Sequence, residues 1–523
     1  MKHLFTCILC VLFFLSAHAQ QGDGFKIFDQ EVPKKSQKEF QYIAFFFNQG
    51  VTGNYFPRSD FLRGQVFGRL YGGNTTSTSD SLTTSFFEQR LLPFFIYQPK
   101  LFNGRAILRA SFEIDWTWGD VSYTAGGNFG SALSSDVVNL QTQNVELELI
   151  PANGWAINLG LQRLFDTPYN PYRTLFDRMT NSAYRLMYWG TDGVGVSLRH
   201  DGDLNRFKAG YYQLYENNIQ ENDDVTLHEF TYERNLTHKL RIGGSAYYVR
   251  DRANGEGGPS ILGQGLNATL NAYNGTFRFP FGGSAYQADV FWLGTFWGYN
   301  QDYMLDRFFM TGFVNVNAGS ARTLVENTVD EYEKAADILG VGANLRLGYR
   351  YGQTENDMVN ADVFFSTGDG DGLDDGTYSG VMTGNTWGAP AAIPISHGAY
   401  ILMPHGNVVN RFVSVVGDFS NMGYGLTAVM LNAQRDLIPY KLNAKVGGAF
   451  GMANEAPAGG GNIIGTEVNG RLNYTLGVFM NLEVHGAYLF QGDFMDSRLV
   501  NGDAAERPVN PWTVFVVYKW LMF

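Results

Sequence analysis

Leu339-Gly340-Val341-Gly342-Ala343-Asn344-Leu345-Arg346-Leu347-Gly348-Tyr349-Arg350-Tyr351 is the stretch that decides the fold. Its odd positions are Leu, Val, Ala, Leu, Leu, Tyr and Tyr; its even positions are Gly, Gly, Asn, Arg, Gly and Arg. A period of two over thirteen residues is a strand with one apolar and one polar face, and no amphipathic helix produces that order. The same alternation sets Tyr440, Leu442, Ala444, Val446, Gly448 and Phe450 against Lys441, Asn443 and Lys445. It also sets the apolar positions from Ala106 to Trp118 against Arg105, Arg109, Glu113 and Asp115. Val145, Leu147 and Leu149 oppose Glu146 and Glu148, and Pro151-Ala152-Asn153-Gly154 then turns the chain into Trp155, Ile157, Leu159 and Leu161, which is a hairpin.

Working outward, the alternation predicts strands at 39–48, 84–97, 105–118, 142–150, 155–164, 191–200, 206–216, 225–234, 239–250, 266–276, 284–298, 338–351, 358–366, 422–434, 440–452, 464–476, 478–490 and 511–523. About eighteen strands is an even number, as single-chain bacterial barrels require. Tight turns at 98–104, 151–154, 201–205, 235–238, 353–357, 435–439 and Gly477 alternate with long segments at 49–83, 119–141, 165–190, 299–337, 367–421 and 491–510. The short turns belong on the periplasmic side and the long loops on the extracellular side. The expected fold class is therefore all-β: a transmembrane, antiparallel, up-and-down β-barrel with long extracellular loops. The apolar run at 409–418 is placed within the 367–421 loop, because counting it as a strand would break the parity.

The remaining features of the chain agree with an exported barrel. Lys2 and His3, an apolar run from Leu4 to Leu15 and Ala17-His18-Ala19 form a signal peptide over 1–19, too short to span about 30 Å of hydrocarbon as a helix. A short periplasmic segment, 20–38, then leads into the barrel at 39–523. Both cysteines, Cys7 and Cys10, fall in the signal, so the mature chain is expected to have neither disulfides nor a thiol nucleophile. Losing Lys2 takes the formal charge from −12 to −13, which argues against nucleic acid as a partner. The implied partners are outer-membrane lipid and the barrel-assembly machinery, and the expected location is the bacterial outer membrane. Phe523 ends a strand whose Phe515, Val517, Lys519 and Leu521 are assigned to the lipid face, with Lys519 snorkelling. Trp116, Trp118 and Trp155 are assigned to the two aromatic girdles.

With strands and loops placed, the chain resembles the alginate-export-like family of outer-membrane channels, in a form similar to Bacteroidetes-type sequences. The residues that carry the resemblance are Phe87-Glu88-Gln89-Arg90-Leu91, Gly160-Leu161-Gln162-Arg163-Leu164, Thr191-Asp192-Gly193-Val194-Gly195-Val196 and Ser366-Thr367-Gly368-Asp369. It implies an eighteen-stranded barrel, passive diffusion of a solute, long loops that gate the pore, and an arginine-rich lumen where the solute is a polyanion.

The candidate lumen and selectivity residues are Arg105, Arg109, Glu113, Asp115, Arg241, Arg346, Arg350, Lys441, Lys445 and Arg471, with Glu146, Glu148, Glu467 and Glu483 as further inward acids. That is a mixed wall behind an acidic rim, which favours a neutral or small solute at least as much as alginate. Asp369, Asp371, Asp374 and Asp375 are candidate calcium ligands on a glycine-rich loop, 368–376, although Leu373 interrupts EF-hand spacing. The expected cofactor is none, with calcium as the alternative at that loop and a solvated loop preferred. Asn481, Glu483 and His485 share a strand face; without a serine placed beside His485 they read as lumen lining, so no enzyme is expected. The expected function is a porin-like channel for a small or saccharide-type solute. The alternatives are a non-conducting barrel serving as receptor or scaffold and, behind it, a barrel hydrolase.

Overall fold

The computed structural model describes residues 38–57, 70–71, 76–118, 139–163, 192–216, 223–255, 284–300, 306–382, 398–403, 414–417 and 419–522, with the side chains of 113, 115–118, 139–141, 143, 163 and 192 left out. The signal peptide, nearly all of 20–38 and the strand expected at 266–276 lie outside these residues. The wall begins with β1 (Phe40–Gly53), β2 (Thr84–Tyr97), β3 (Ala106–Trp118), β4 (Asn139–Leu149), β5 (Trp155–Arg163) and β6 (Asp192–Asp201). It continues with β7 (Asn205–Tyr215), β8 (Val225–Asn235), β9 (Leu240–Asp251), β10 (Tyr286–Tyr299), β11 (Phe308–Leu324) and β12 (Tyr332–Arg350). It is completed by β13 (Met358–Ser366), β14 (Leu426–Ile438), β15 (Leu442–Met452), β16 (Ile463–Gly477), β17 (Met480–Gln491) and β18 (Trp512–Met522).

Each of the eighteen strands pairs antiparallel with its neighbours in sequence, and β1 pairs both with β2 and with β18, from Ala44↔Met522 to Gly53↔Thr513. The sheet is thereby closed and has no free edge. A two-residue strand, Thr377–Tyr378, adds to the long-loop end of β12 in parallel, and Tyr55–Pro57 pairs with Thr76–Thr78 outside the wall.

The alternation read from 339–351 is the alternation seen. Leu339 is 56% exposed while Gly340, Gly342, Asn344 and Arg346 are buried inward. Leu431 and Val446 stand outward at 61% and 65% exposure. Large apolar side chains cover the outside on strand after strand, each worth about 1.5–3 kcal/mol if removed from water. An exterior of that kind is stable against lipid, which ties the barrel to a membrane. Near the short-turn end Trp155 faces outward with its ring 4.5 Å from His200 and 5.6 Å from Phe207, where an interfacial girdle is expected. The side chains of Trp116 and Trp118 are outside the description.

Two readings of the strands are corrected. β11 occupies residues that the sequence assigns to a loop at 299–337. Phe309 and Phe313 blur its period, and Phe313 is buried inward, its ring 6.2 Å from Phe419 of the 367–425 connection. β9 pairs directly with β10, and with β11 included the described wall has eighteen strands; the strand expected at 266–276 lies outside the described residues. In β18 the faces are reversed. Phe515 and Val517 are buried inward, Val514 and Val516 stand outward, and Lys519 is inward with its Nζ 3.1 Å from Glu483. Both faces of β18 are apolar, so hydrophobicity alone leaves its register open. Loop lengths sort by end as expected, with three exceptions: 216–224, 325–331 and 453–462 are short connections at the long-loop end.

Leu431 lies mid-strand on the outer face, so Leu431→Arg is expected to destabilise the folded barrel by about 2–4 kcal/mol. Asn432→Gln, one position away on the inner face, is expected to cost less. Denaturant unfolding in lipid vesicles, read by heat-modifiable gel migration, checks the pair; equal costs would contradict the assignment of faces.

Candidate functional site in the barrel lumen

The lumen has two tiers, set by where each strand carries its inward polar residues. Toward the short-turn end runs a belt of ion pairs, most of them between neighbouring strands. Arg109 of β3 donates to Glu146 (3.3 Å) and Glu148 (2.8 Å) of β4, and Asn158 of β5 donates to both carboxylates. Glu148 also meets Arg199 of β6 at 3.3 Å. Asp201 sits 3.5 Å from Arg199 and 2.7 Å from Arg206, Lys208 of β7 sits 2.9 Å from Glu229 of β8, and Arg241 of β9 sits 3.5 Å from Glu233. On the other side of the barrel Arg346 of β12 holds Asp362 of β13 at 2.6 Å, and Glu483 of β17 lies between Lys519 (3.1 Å) and His485 (2.9 Å). Arg109↔Glu146 and Arg346↔Asp362 are direct cross-strand partners, the placement in which opposite charges support a sheet.

The second tier is built by the 367–425 connection, whose described segments fold into the barrel. Ile401, Leu402, Val415, Val416 and Phe419 are fully buried with the inner-wall residues Trp292, Phe364 and Met430. Trp292 Nε1 donates to the Met382 carbonyl at 3.0 Å. The anchor is Glu467 of β16. Its Oε1 accepts from Tyr400 N at 2.7 Å, and its Oε2 accepts from Ile401 N (2.9 Å) and Leu402 N (2.7 Å). Asn469 Nδ2 bridges the same carboxylate and the Gly398 carbonyl, both at 2.8 Å. Three consecutive amides converge on one carboxylate as they do in an anion-binding nest. Gly398 makes the approach possible, since a Cβ there would lie 2.5 Å from Asn432 Nδ2 and 2.7 Å from Met430 Cβ. The tiers meet at Tyr400, whose ring has Lys445 Nζ 5.0 Å from its centroid and His485 and Phe515 at 5.2 and 5.8 Å.

Among the candidates from sequence, Arg109, Arg241, Arg346 and Lys445 are inward and buried, and Arg471 is inward and half-buried, donating to Asn443 at 3.0 Å. Arg350 ends β12 half-buried over Phe309 and bonds the Asp306 carbonyl. Two assignments are corrected. Arg105 is exposed in the turn before β3, donating to the carbonyls of Ile150 and Pro151, and Lys441 lies in the turn before β15 with its ammonium 4.8 Å from the ring of the outward Tyr474. At a strand end the side chain follows the turn and not the pleat. Glu113 and Asp115 belong to β3, but their side chains are outside the description. Sequence reading passed over Arg199, Asp201, Arg206, Lys208, Glu229, Glu233 and Asp362; complementary charges at paired positions of adjoining hairpins were the signal available.

The four loop aspartates do not act together. Asp369 is buried and accepts from Ser379 N at 3.0 Å; burial pushes its carboxyl above the usual range and the nearby charge of Asp371 adds to the shift, against the Ser379 bond. Asp371, Asp374 and Asp375 are exposed, and among the described residues no three of the four come close enough to share one ion. His485 stacks on Phe515 at 4.4 Å and bonds Glu483, the company of a lumen residue held in place.

No family model matches the chain, and no curated protein matches it, so the resemblance to alginate-export channels finds no support there. Solved structures similar to it include OccK2 (OpdF) of Pseudomonas aeruginosa, 10% identical over 94% of this chain and 99% of that one, with a TM-score of 0.47. The outer membrane protein OpdK of the same organism is 10% identical over 92% and 98% with a TM-score of 0.45. OccAB4 of Acinetobacter baumannii is 12% identical over 92% and 98% with a TM-score of 0.45.

In Glu467→Gln only one oxygen remains to accept, so either the Tyr400 amide or those of Ile401 and Leu402 lose their partner. Each buried donor left unpaired is expected to cost about 1–3 kcal/mol. Hydrogen exchange at the amides of 400–402 should speed up while the strand amides of β15 and β16 keep their protection. Unchanged exchange at 400–402 would show that Glu467 does not hold the loop.

Proposed function

We propose that the chain is a bacterial outer-membrane channel for passive passage of small solutes, saccharides included, narrowed by the inward-folded 367–425 connection. It is exported by the 1–19 signal and inserted by the barrel-assembly machinery. The observation that supports this most directly is the charged belt. Buried ion pairs are a poor way to stabilise a wall, because apolar residues of like volume do as well or better. A belt of charged residues around the interior of a barrel of this size, which leaves a channel unless something fills it, serves a polar pathway. Opposite charges alternate around the belt, which suits neutral, hydroxyl-rich or dipolar solutes better than a polyanion such as alginate. The inward fold of the long connection also favours a second reading, a plugged barrel that binds a partner at the surface.

Planar-bilayer conductance and liposome swelling with small sugars separate the two. A conducting protein whose current rises in Gly398→Val, where the added side chain pushes the loop off Met430 and Asn432, is the expected result. Liposomes impermeable even after deletion of 379–417 would sink the channel in favour of the receptor. In the conducting protein Arg346→Gln should shift the reversal potential at low salt toward cations and Asp362→Asn toward anions, while the double variant returns close to wild type. Shifts that add up instead of cancelling would mean the pair does not line the pathway as one neutral unit. Each single variant also strands a buried charge, so it is expected to lose about 3–5 kcal/mol of stability that the double variant largely recovers.

A further inference from the structure

Glu216 follows the last residue of β7, and Asp223 and Asp224 precede the first of β8, at the long-loop end of the barrel. A carboxylate oxygen of each lies within 4.8 Å of the others. Asp223 is 4% exposed, and among the described residues its buried Oδ2 meets no hydrogen-bond partner. The help that Asp224 receives is neutral: Gln213 Nε2 donates to its Oδ1 at 2.5 Å and to the Tyr215 carbonyl at 3.0 Å. Arg252 is close by, its backbone N–H bonding the Asp224 carbonyl, but its guanidinium is bound to Asp289 at 2.8 and 3.0 Å and to the carbonyls of Asp251 and Ala288. Three carboxylates brought together, one of them buried with an oxygen left over, is an arrangement that a bound cation satisfies and that water-exposed acids do not need.

We propose that Glu216, Asp223 and Asp224 bind a calcium ion that fastens the β7–β8 connection at the outer mouth of the barrel. The donor set is all oxygen and carries three negative charges, which suits a hard cation and not zinc, whose sites draw on histidine and cysteine. Ligands on one calcium at about 2.4 Å stand at most about 4.8 Å apart, the limit within which these oxygens fall. Calcium completes its six to eight ligands from water and backbone carbonyls, whereas magnesium demands a tighter octahedron of donors. The pairing of β7 with β8 shifts register at Val225/Thr226, next to Asp224, so the ion would hold the two strands where their ladder is irregular. The 368–376 loop, the site that sequence suggests, is a separate place and serves as the control.

The full chain, folded in detergent micelles and stripped with EDTA, is titrated with calcium by calorimetry and with terbium by tyrosine-sensitised luminescence. Wild type is expected to bind calcium, displace terbium on its addition and unfold at a higher temperature with calcium than with EDTA. Asp223→Asn with Asp224→Asn should weaken calcium at least tenfold while keeping heat-modifiable migration; Glu216→Gln gives the same reading should the double variant fail to fold. Asp371→Asn with Asp374→Asn and Asp375→Asn should leave binding unchanged. Wild type that binds no calcium, a loss seen only in the 371/374/375 variant, or magnesium displacing terbium as well as calcium does would each overturn the proposal.

Discussion

A strand in hydrocarbon has no water to satisfy its peptide groups, and each group left unpaired costs several kcal/mol. The pairing of β18 with β1 answers that constraint for the whole chain, because it removes the two edges that eighteen strands would otherwise present. It also settles orientation. A slip of one residue in any ladder would turn every side chain of that strand to the other surface. Once the register Phe47↔Lys519 is set, Lys519 must point inward, and the acid it needs is there in Glu483 of β17. The closing strand is thus held by backbone bonds on both sides and by a charge pair inside the tube.

Closure creates an interior with its own electrostatics. Charges on the inner wall are shielded from bulk water, so those named in the belt sit against opposite charges, most of them on a neighbouring strand. The pairs cost more to break singly than they contribute together. The upper tier solves a similar problem with a different donor: Glu467 is fully buried and its charge is met by three peptide N–H groups of the loop. One carboxylate therefore fixes where a long connection enters the barrel.

Much of this was legible in the sequence, and the limits have physical causes. Period-two alternation is enforced by lipid on one side and a polar lumen on the other, so 339–351, 440–452 and the 145–161 hairpin could be read directly. β11 failed the same test because the loop inside the barrel presents apolar surface, and Phe313 is inward to meet it. β18 failed because it is apolar on both faces. Arg105 and Lys441 look inward by parity but occupy turns, where the pleat no longer dictates direction. Inward charge was recognisable one strand at a time; the partners were not, because pairing depends on registers that alternation alone does not fix. Nothing in the spacing of 398–403 and Glu467 announces that they meet.

Tyr400 joins these two systems. Its amide is held by Glu467, its ring lies over Lys445 and against His485, and His485 bonds the Glu483 that pairs with Lys519 on the closing strand. Displacing the loop would uncover a lysine and a glutamate together, leaving the local charge balanced. In the proposed channel the loop therefore sets how wide the pathway is, while the belt sets what charge it prefers, and the two properties are separable by substitution. A polyanion channel would need the opposite arrangement, with basic residues released from their acids whenever the pathway opens. The wall shows basic residues held by acids instead, Arg109 by Glu146 and Glu148 and Arg346 by Asp362.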